Sequence, residues 1–151
     1  MQQKINRFFS IIKNSKNFAY DVETSGLRWQ TDYVCGYSVS DGKDAVYIPV
    51  RHALDHAPET NITNVDLFEK DLARHVKDHT GKIIGHHIKF DTHFSENHNI
   101  ILGNKLKDTM IRESLIDENR YSYSLAATTS RYPNIPQKKG KELYKHISEK
   151  F

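Results

Sequence analysis

Apolar residues recur along this chain at two spacings, one helical and one strand-like, and the switches between them delimit its elements. Ile5, Phe8, Phe9, Ile11 and Ile12 stand among Lys, Asn and Arg, which predicts a short leading helix over 4–14 that ends at Asn14-Ser15. A period of two follows at 17–24. There Phe18, Tyr20 and Val22 share one strand face, and Ala19, Asp21 and Glu23 share the other. After a turn at Ser25-Gly26, the β-rich runs 33–40 and 44–50 are joined by Asp41-Gly42 and Lys43, a strong hairpin signal. Residues 53–64 are polar with Pro58 and read as loop. Asn64 then caps a helix over 65–79 that carries Leu67, Phe68, Leu72 and Val76 along one face and stops at Thr80-Gly81.

A short apolar strand begins at Lys82, and from Ile88 the chain turns into a helix through Asp91, Phe94 and His98. A helix between two strands implies that they pair in parallel. A weak strand at 106–108 precedes helices at 109–116 and 123–131, a Pro-rich break at 132–136 and a helical segment over 138–151. The pattern is α/β: a meander of three antiparallel strands, then parallel strands and helices around one mixed sheet, in a single domain 1–151 with its core at about 17–132. Phe8, Phe9, Tyr33, Tyr37 and Phe68 read as core aromatics.

Composition narrows the class only slightly. With 151 residues, 37% hydrophobic and 27% charged, the chain suits one soluble globular domain rather than a disordered one. A net charge of +3 permits a nucleic-acid partner without arguing for one. The lone cysteine, Cys35, excludes an intrachain disulfide framework and suits a reducing compartment. No apolar run approaches the roughly 18 residues of a membrane span, and no secretion signal opens the chain. A cytoplasmic protein without a membrane partner is expected, in the host's cytoplasm if the source is a virus.

The candidate chemistry lies in the acids. Asp21 and Glu23 point the same way about two strand rises of roughly 3.3 Å apart, so two like charges share one surface. An exposed strand end entering a turn explains them, and so does a metal site. Asp91 opens the helix after 82–86, where an acid ordinarily serves as a cap or a dipole partner. If strand 82–86 lies parallel beside 17–24, however, Asp21, Glu23 and Asp91 gather at the carboxyl ends of adjacent strands, where open α/β sheets place their sites. Three oxygen donors suit hard cations such as Mg²⁺ or Mn²⁺. Two such ions about 3.5–4 Å apart activate water on one side of a phosphodiester and stabilise the leaving oxygen on the other. His86, His87, His93 and His98 do not have the spacing of a zinc site, and Asp108 is either a further ligand or a helix cap.

Residues 18–27, Phe-Ala-Tyr-Asp-Val-Glu-Thr-Ser-Gly-Leu, resemble the first exonuclease motif of the proofreading domains of family A, polymerase I-like DNA polymerases, and 85–91, Gly-His-His-Ile-Lys-Phe-Asp, resemble the second. Val46 to His52, Asp108-Thr109-Met110 and Tyr123-Ser124-Leu125 match in the same order. The resemblance covers about 17–132 and implies a ribonuclease H-like sheet and a 3′–5′ exonuclease that removes nucleoside monophosphates from single-stranded DNA 3′ ends. Carried over by position, it assigns Asp21, Glu23 and Asp91 as catalytic metal ligands for two Mg²⁺ or Mn²⁺ ions, and Thr24, Leu27 and His87 as substrate-binding residues. A DNA polymerase domain or a downstream polypeptide is the implied partner.

Two departures stand out. The family usually has Asn where this chain has His87. Its third motif, Tyr-x-x-x-Asp, is also missing, since Tyr144 is followed by Ser148 at that spacing. The chain is therefore expected to be the front part of a longer exonuclease domain. A catalytically incomplete module that binds DNA or a polymerase is one alternative, and an RNase D-like RNA 3′ exonuclease is another.

Overall fold

The computed structural model describes residues 1–52, 61–103 and 105–132, so most of the predicted loop at 53–64 and the predicted segment 138–151 lie outside the described residues. The chain forms two compact units, Met1–Thr109 and Met110–Phe151.

In the first unit, α1 (Gln2–Asn14) leads into β1 (Asn17–Thr24), β2 (Val34–Ser40) and β3 (Ala45–Pro49). After these come α2 (Val65–Asp78), β4 (Lys82–Gly85), α3 (Ile88–Asn97) and β5 (Leu106–Asp108). The strands form one sheet in the order β3-β2-β1-β4-β5. β1 pairs antiparallel with β2, and β2 with β3. β1 pairs parallel with β4, and β4 with β5. This is the expected mixed sheet, and β1 at its centre is the strand that carries the acid pair.

The strand pattern decides which face is buried. Phe18, Tyr20 and Val22 are buried while Ala19, Asp21 and Glu23 are exposed, as the alternation predicts. Phe8, Ile11 and Ile12 of α1 and Phe68, Leu72 and Val76 of α2 join them in one core cluster, each side chain contributing about 1.5–3 kcal/mol by leaving water. Leu67 departs from expectation and is exposed. The inward face of α2 is instead the stripe Phe68, Leu72 and Val76 with Glu69 beside it. Tyr33 is also exposed, because it precedes β2 and closes a surface loop.

Local signals read from the sequence are met. Asn64 caps α2 by accepting from the Leu67 N–H at 3.1 Å. Asp41 accepts from the N–H groups of Lys43 and Asp44, and Gly42 takes φ +86°, closing the β2–β3 hairpin.

The second unit holds most of α4 (Thr109–Ile116) and α5 (Leu125–Thr129). Its helices are organised by Glu113, which is buried and takes Arg120, Arg131 and the Tyr132 hydroxyl as partners. α5 is shorter than the predicted 123–131, because Ser124 caps it through the Ala127 N–H. Among the described residues no helix is long and apolar enough to cross a membrane.

Candidate active site

The acid pair stands where β1 leaves the sheet. Glu23 pairs with Gly36 but Thr24 pairs with Val34, so the register slips by one residue immediately after the second acid. A bulge of this kind sharpens the local twist and re-aims the side chains at a strand end.

Asp91 reaches this point from α3. The helix is held to β1 by a buried hydrogen bond of 2.9 Å between the Tyr20 hydroxyl and Ser95, and by Phe94, which is fully buried. It starts close against the sheet, since a Cβ at Gly85 would fall 2.8 Å from Ile88. Asp91 Oδ1 then accepts from the Val22 N–H at 2.9 Å, on the backbone between Asp21 and Glu23. Asp91 thus reaches the β1 backbone between the two acids of that strand. Among the described residues no group of three or more His, Cys, Asp or Glu side chains is arranged to hold a metal ion.

The electrostatics of Asp91 are dominated by its burial. The residue is only 3% exposed, and burial drives its carboxyl up. The Val22 N–H draws it part of the way back, and the charges of Asp21 and Asp108 push it up again, to about 7. Its folded value therefore lies above the unfolded value of about 4. The acid contributes its full stabilisation below about pH 4, and that contribution is lost as pH rises through about 7. A dication beside Asp91 would offset this charge, and a set of carboxylate oxygens fits Mg²⁺ or Mn²⁺ better than zinc.

Asp108 is a cap, but of a different helix from its own. From β5 its two carboxylate oxygens accept from the N–H groups of His87 at 3.1 Å and Ile88 at 3.0 Å, at the N-terminus of α3. That frees His87 from any side-chain capping duty, and its backbone sits in the left-handed region at φ +65°. Asn and His are both enriched in that region, which explains physically why His87 can stand where Asn is usual.

The remaining predicted residues lie at the end of β1, in the loop after it and at the head of α3. Thr24 closes the turn by donating its hydroxyl to the Gly26 carbonyl at 2.6 Å. Leu27 is 83% exposed at the loop tip. His87 is exposed at the head of α3. The other histidines are engaged apart from one another: His86 with the Thr109 hydroxyl at 2.9 Å, His93 stacked on Trp29, and His98 with Glu69 at 3.2 Å. Sequence reasoning missed Tyr47, whose hydroxyl bonds His52 and whose phenol is pushed up to about 12 by burial and by the charge of Glu23. The match at 46–52 was the signal that could have found it. It also missed Trp29, the only tryptophan.

A family model described as 3′–5′ exonuclease matches residues 1–148. The DNA polymerase of Escherichia phage T5 is 28% identical over 124 residues, covering 78% of this chain and 13% of that protein. The DNA polymerase DpoZ of Acinetobacter phage SH-Ab 15497 is 28% identical over 145 residues, covering 95% of this chain and 21% of that protein. The chain therefore spans about a fifth or less of these relatives.

Among solved structures, Brucella melitensis NrnC superposes with a TM-score of 0.65 at 21% identity, over 86% of this chain and 58% of NrnC. Escherichia coli RNase D, an exoribonuclease involved in structured RNA processing, gives 0.63 at 17% identity, over 91% of this chain and 33% of RNase D. At such identities these structures show the fold alone, the ribonuclease H-like sheet. NrnC has also been solved with bound Mg²⁺ and bound to pGG.

Proposed function

The chain belongs to the 3′–5′ exonuclease family of family A DNA polymerases, and from that premise we propose that Asp21, Glu23 and Asp91 serve metal-dependent hydrolysis of the last phosphodiester at a single-stranded DNA 3′ end. One observation carries this: the Asp91 carboxylate is bonded to the Val22 N–H, between the two acids of β1. Mg²⁺ or Mn²⁺ bound there would neutralise the phosphate and make the attacking water more acidic.

The chain's own residues supply position. Asp21 and Glu23 project from a rigid central strand, and Asp91 is fixed from below by a backbone donor. Thr24 holds the turn that presents Leu27, whose exposed side chain meets the terminal nucleotide. His87, held in place by the Asp108 cap on its backbone, offers a donor for phosphate. Both units belong to an exonuclease domain, which works with a DNA polymerase domain or a downstream polypeptide.

RNA is the competing substrate, since RNase D shares the fold. Labelled DNA and RNA strands of one sequence, incubated with Mg²⁺ or Mn²⁺, separate the two readings. Stepwise release of mononucleotides from the DNA 3′ end, at least about tenfold faster than from RNA, is expected; that ratio corresponds to about 1.4 kcal/mol of discrimination. Faster RNA degradation would assign the chain to RNA. Binding of either strand without cleavage would assign it to a non-catalytic module.

A further inference from the structure

Residues 25–33, which join β1 to β2, form a loop that is closed by its own hydrogen bonds. The Ser25 N–H donates to the Tyr33 carbonyl at 2.9 Å, and the Tyr33 N–H donates to the Ser25 hydroxyl at 3.0 Å. Inside the loop, Asp32 Oδ2 accepts from the Arg28 N–H at 2.7 Å. Gly26 makes room for that carboxylate, since a Cβ there would lie 2.4 Å from it. None of these bonds uses the side chain of Trp29, and Trp29 is outside the core cluster.

The indole is nevertheless held firmly. Its ring stacks on His93, with centroids 5.1 Å apart and planes at 19°. Its backbone carbonyl accepts from the side-chain amide of Asn97. His93 and Asn97 lie one turn apart on α3, the helix that carries Asp91. Although fixed at two points, Trp29 stays 40% exposed, and Leu27 and Tyr33 in the same loop are also exposed. Exposed Arg28 lies between Leu27 and Trp29.

A rigid aromatic ring, backed on one side and open to water beside an acid-bearing strand end, is not what a core requires. Grouped exposed apolar side chains mark a ligand surface. An aromatic platform accepts the π-face of any base, which suits an enzyme that must act on every sequence, and a neighbouring cation suits the phosphate backbone. We propose that Trp29, backed by His93, is a nucleobase-stacking residue that seats a base of the single strand entering the Asp21, Glu23 and Asp91 site. This rests on the exonuclease reading of that site.

Because the chain has one tryptophan, fluorescence excited beyond the absorption of its tyrosines reports on Trp29 alone. The protein is titrated with a 5′-labelled, phosphorothioate-blocked oligo(dT), and with the same strand made abasic over its 3′-terminal nucleotides, while anisotropy follows binding and emission follows the indole. The oligo(dT) should quench emission along its binding curve, and the abasic strand should bind more weakly without quenching. Trp29→Ala should weaken oligo(dT) binding about 5- to 150-fold, whereas Trp29→Phe, which keeps a ring, should retain most of the affinity. Oligo(dT) binding with unchanged emission, equal quenching by the abasic strand, or wild-type affinity in Trp29→Ala would overturn the proposal and leave the exonuclease reading standing. If neither strand binds wild-type protein at all, both fall.

Discussion

Asp21→Asn is expected to slow 3′-terminal cleavage by at least about 100-fold, the usual cost of losing one charge-stabilising group at a reacting centre. The change removes a charge without altering volume, and Asp21 lies on the exposed face of β1 outside the core. Its negative charge also raises the Asp91 carboxyl, so removing it relieves repulsion and should leave the melting temperature equal or slightly higher. Asp91→Asn is the matching variant at the buried position. An amide oxygen there can still accept from the Val22 N–H, so the helix-to-strand contact survives while the charge is lost. Single-turnover cleavage of a 5′-labelled strand, read beside a thermal melt, separates lost chemistry from lost folding. Cleavage within a few-fold of wild type in both variants would remove these acids from the mechanism.

The largest expected effect on stability lies in the core below the sheet. Glu69 is buried and takes two hydrogen bonds from Arg51, at 2.7 and 2.9 Å, and one from the Tyr37 hydroxyl at 2.7 Å, with His98 at 3.2 Å. Burial pushes its carboxyl up, but the hydrogen bonds from His98, Arg51 and Tyr37 outweigh it and hold it at about 2. Removing Arg51 leaves a buried charge without its main partner. Arg51→Ala should therefore lower the unfolding free energy by about 3–5 kcal/mol in urea titrations. The double variant Arg51→Met with Glu69→Leu should recover much of that loss, because an apolar pair needs no counter-charge. Since the folded value of Glu69 lies below its unfolded one, its contribution is present above about pH 4 and is lost as pH falls through about 2. A loss below about 1 kcal/mol in Arg51→Ala would show that the network is solvated rather than buried.

Much of the fold was legible because its signals are local. The alternation at 17–24 assigned the faces of β1, Asp41-Gly42 marked the hairpin, and Asn64 marked the start of α2. The helix between β1 and β4 implied their parallel pairing, which is observed. What the sequence hid is long-range. Asp108 stands just before α4 and so reads as that helix's cap, but parallel pairing with β4 carries it to the start of α3 instead. Leu67 fits an apolar stripe, yet Glu69 takes the inward place because Arg51 and Tyr37, distant in sequence, meet it there.

The same distinction runs through the site. The spacing of Asp21 and Glu23 and the motif around Asp91 named the acids, and their order along the chain suggested that they meet. The burial of Asp91 and its bond to the Val22 N–H could not be read from pattern, since they depend on how closely α3 packs at Gly85. Trp29 gave no periodic signal at all. Its place follows from the turn geometry at Gly26 and Asp32 and from a partner on α3.

The central claim is that Asp21, Glu23 and Asp91 act as one divalent-cation site, and calorimetric titration of the protein with Mn²⁺ at pH 7.5 tests it most directly. Wild-type protein should bind saturably, with release to the buffer of the fraction of a proton that Asp91, whose carboxyl lies at about 7, still holds. Asp21→Asn, Glu23→Gln and Asp91→Asn should each weaken binding by at least about tenfold. Undiminished Mn²⁺ affinity in all three variants, or no binding by the wild type, would contradict the account.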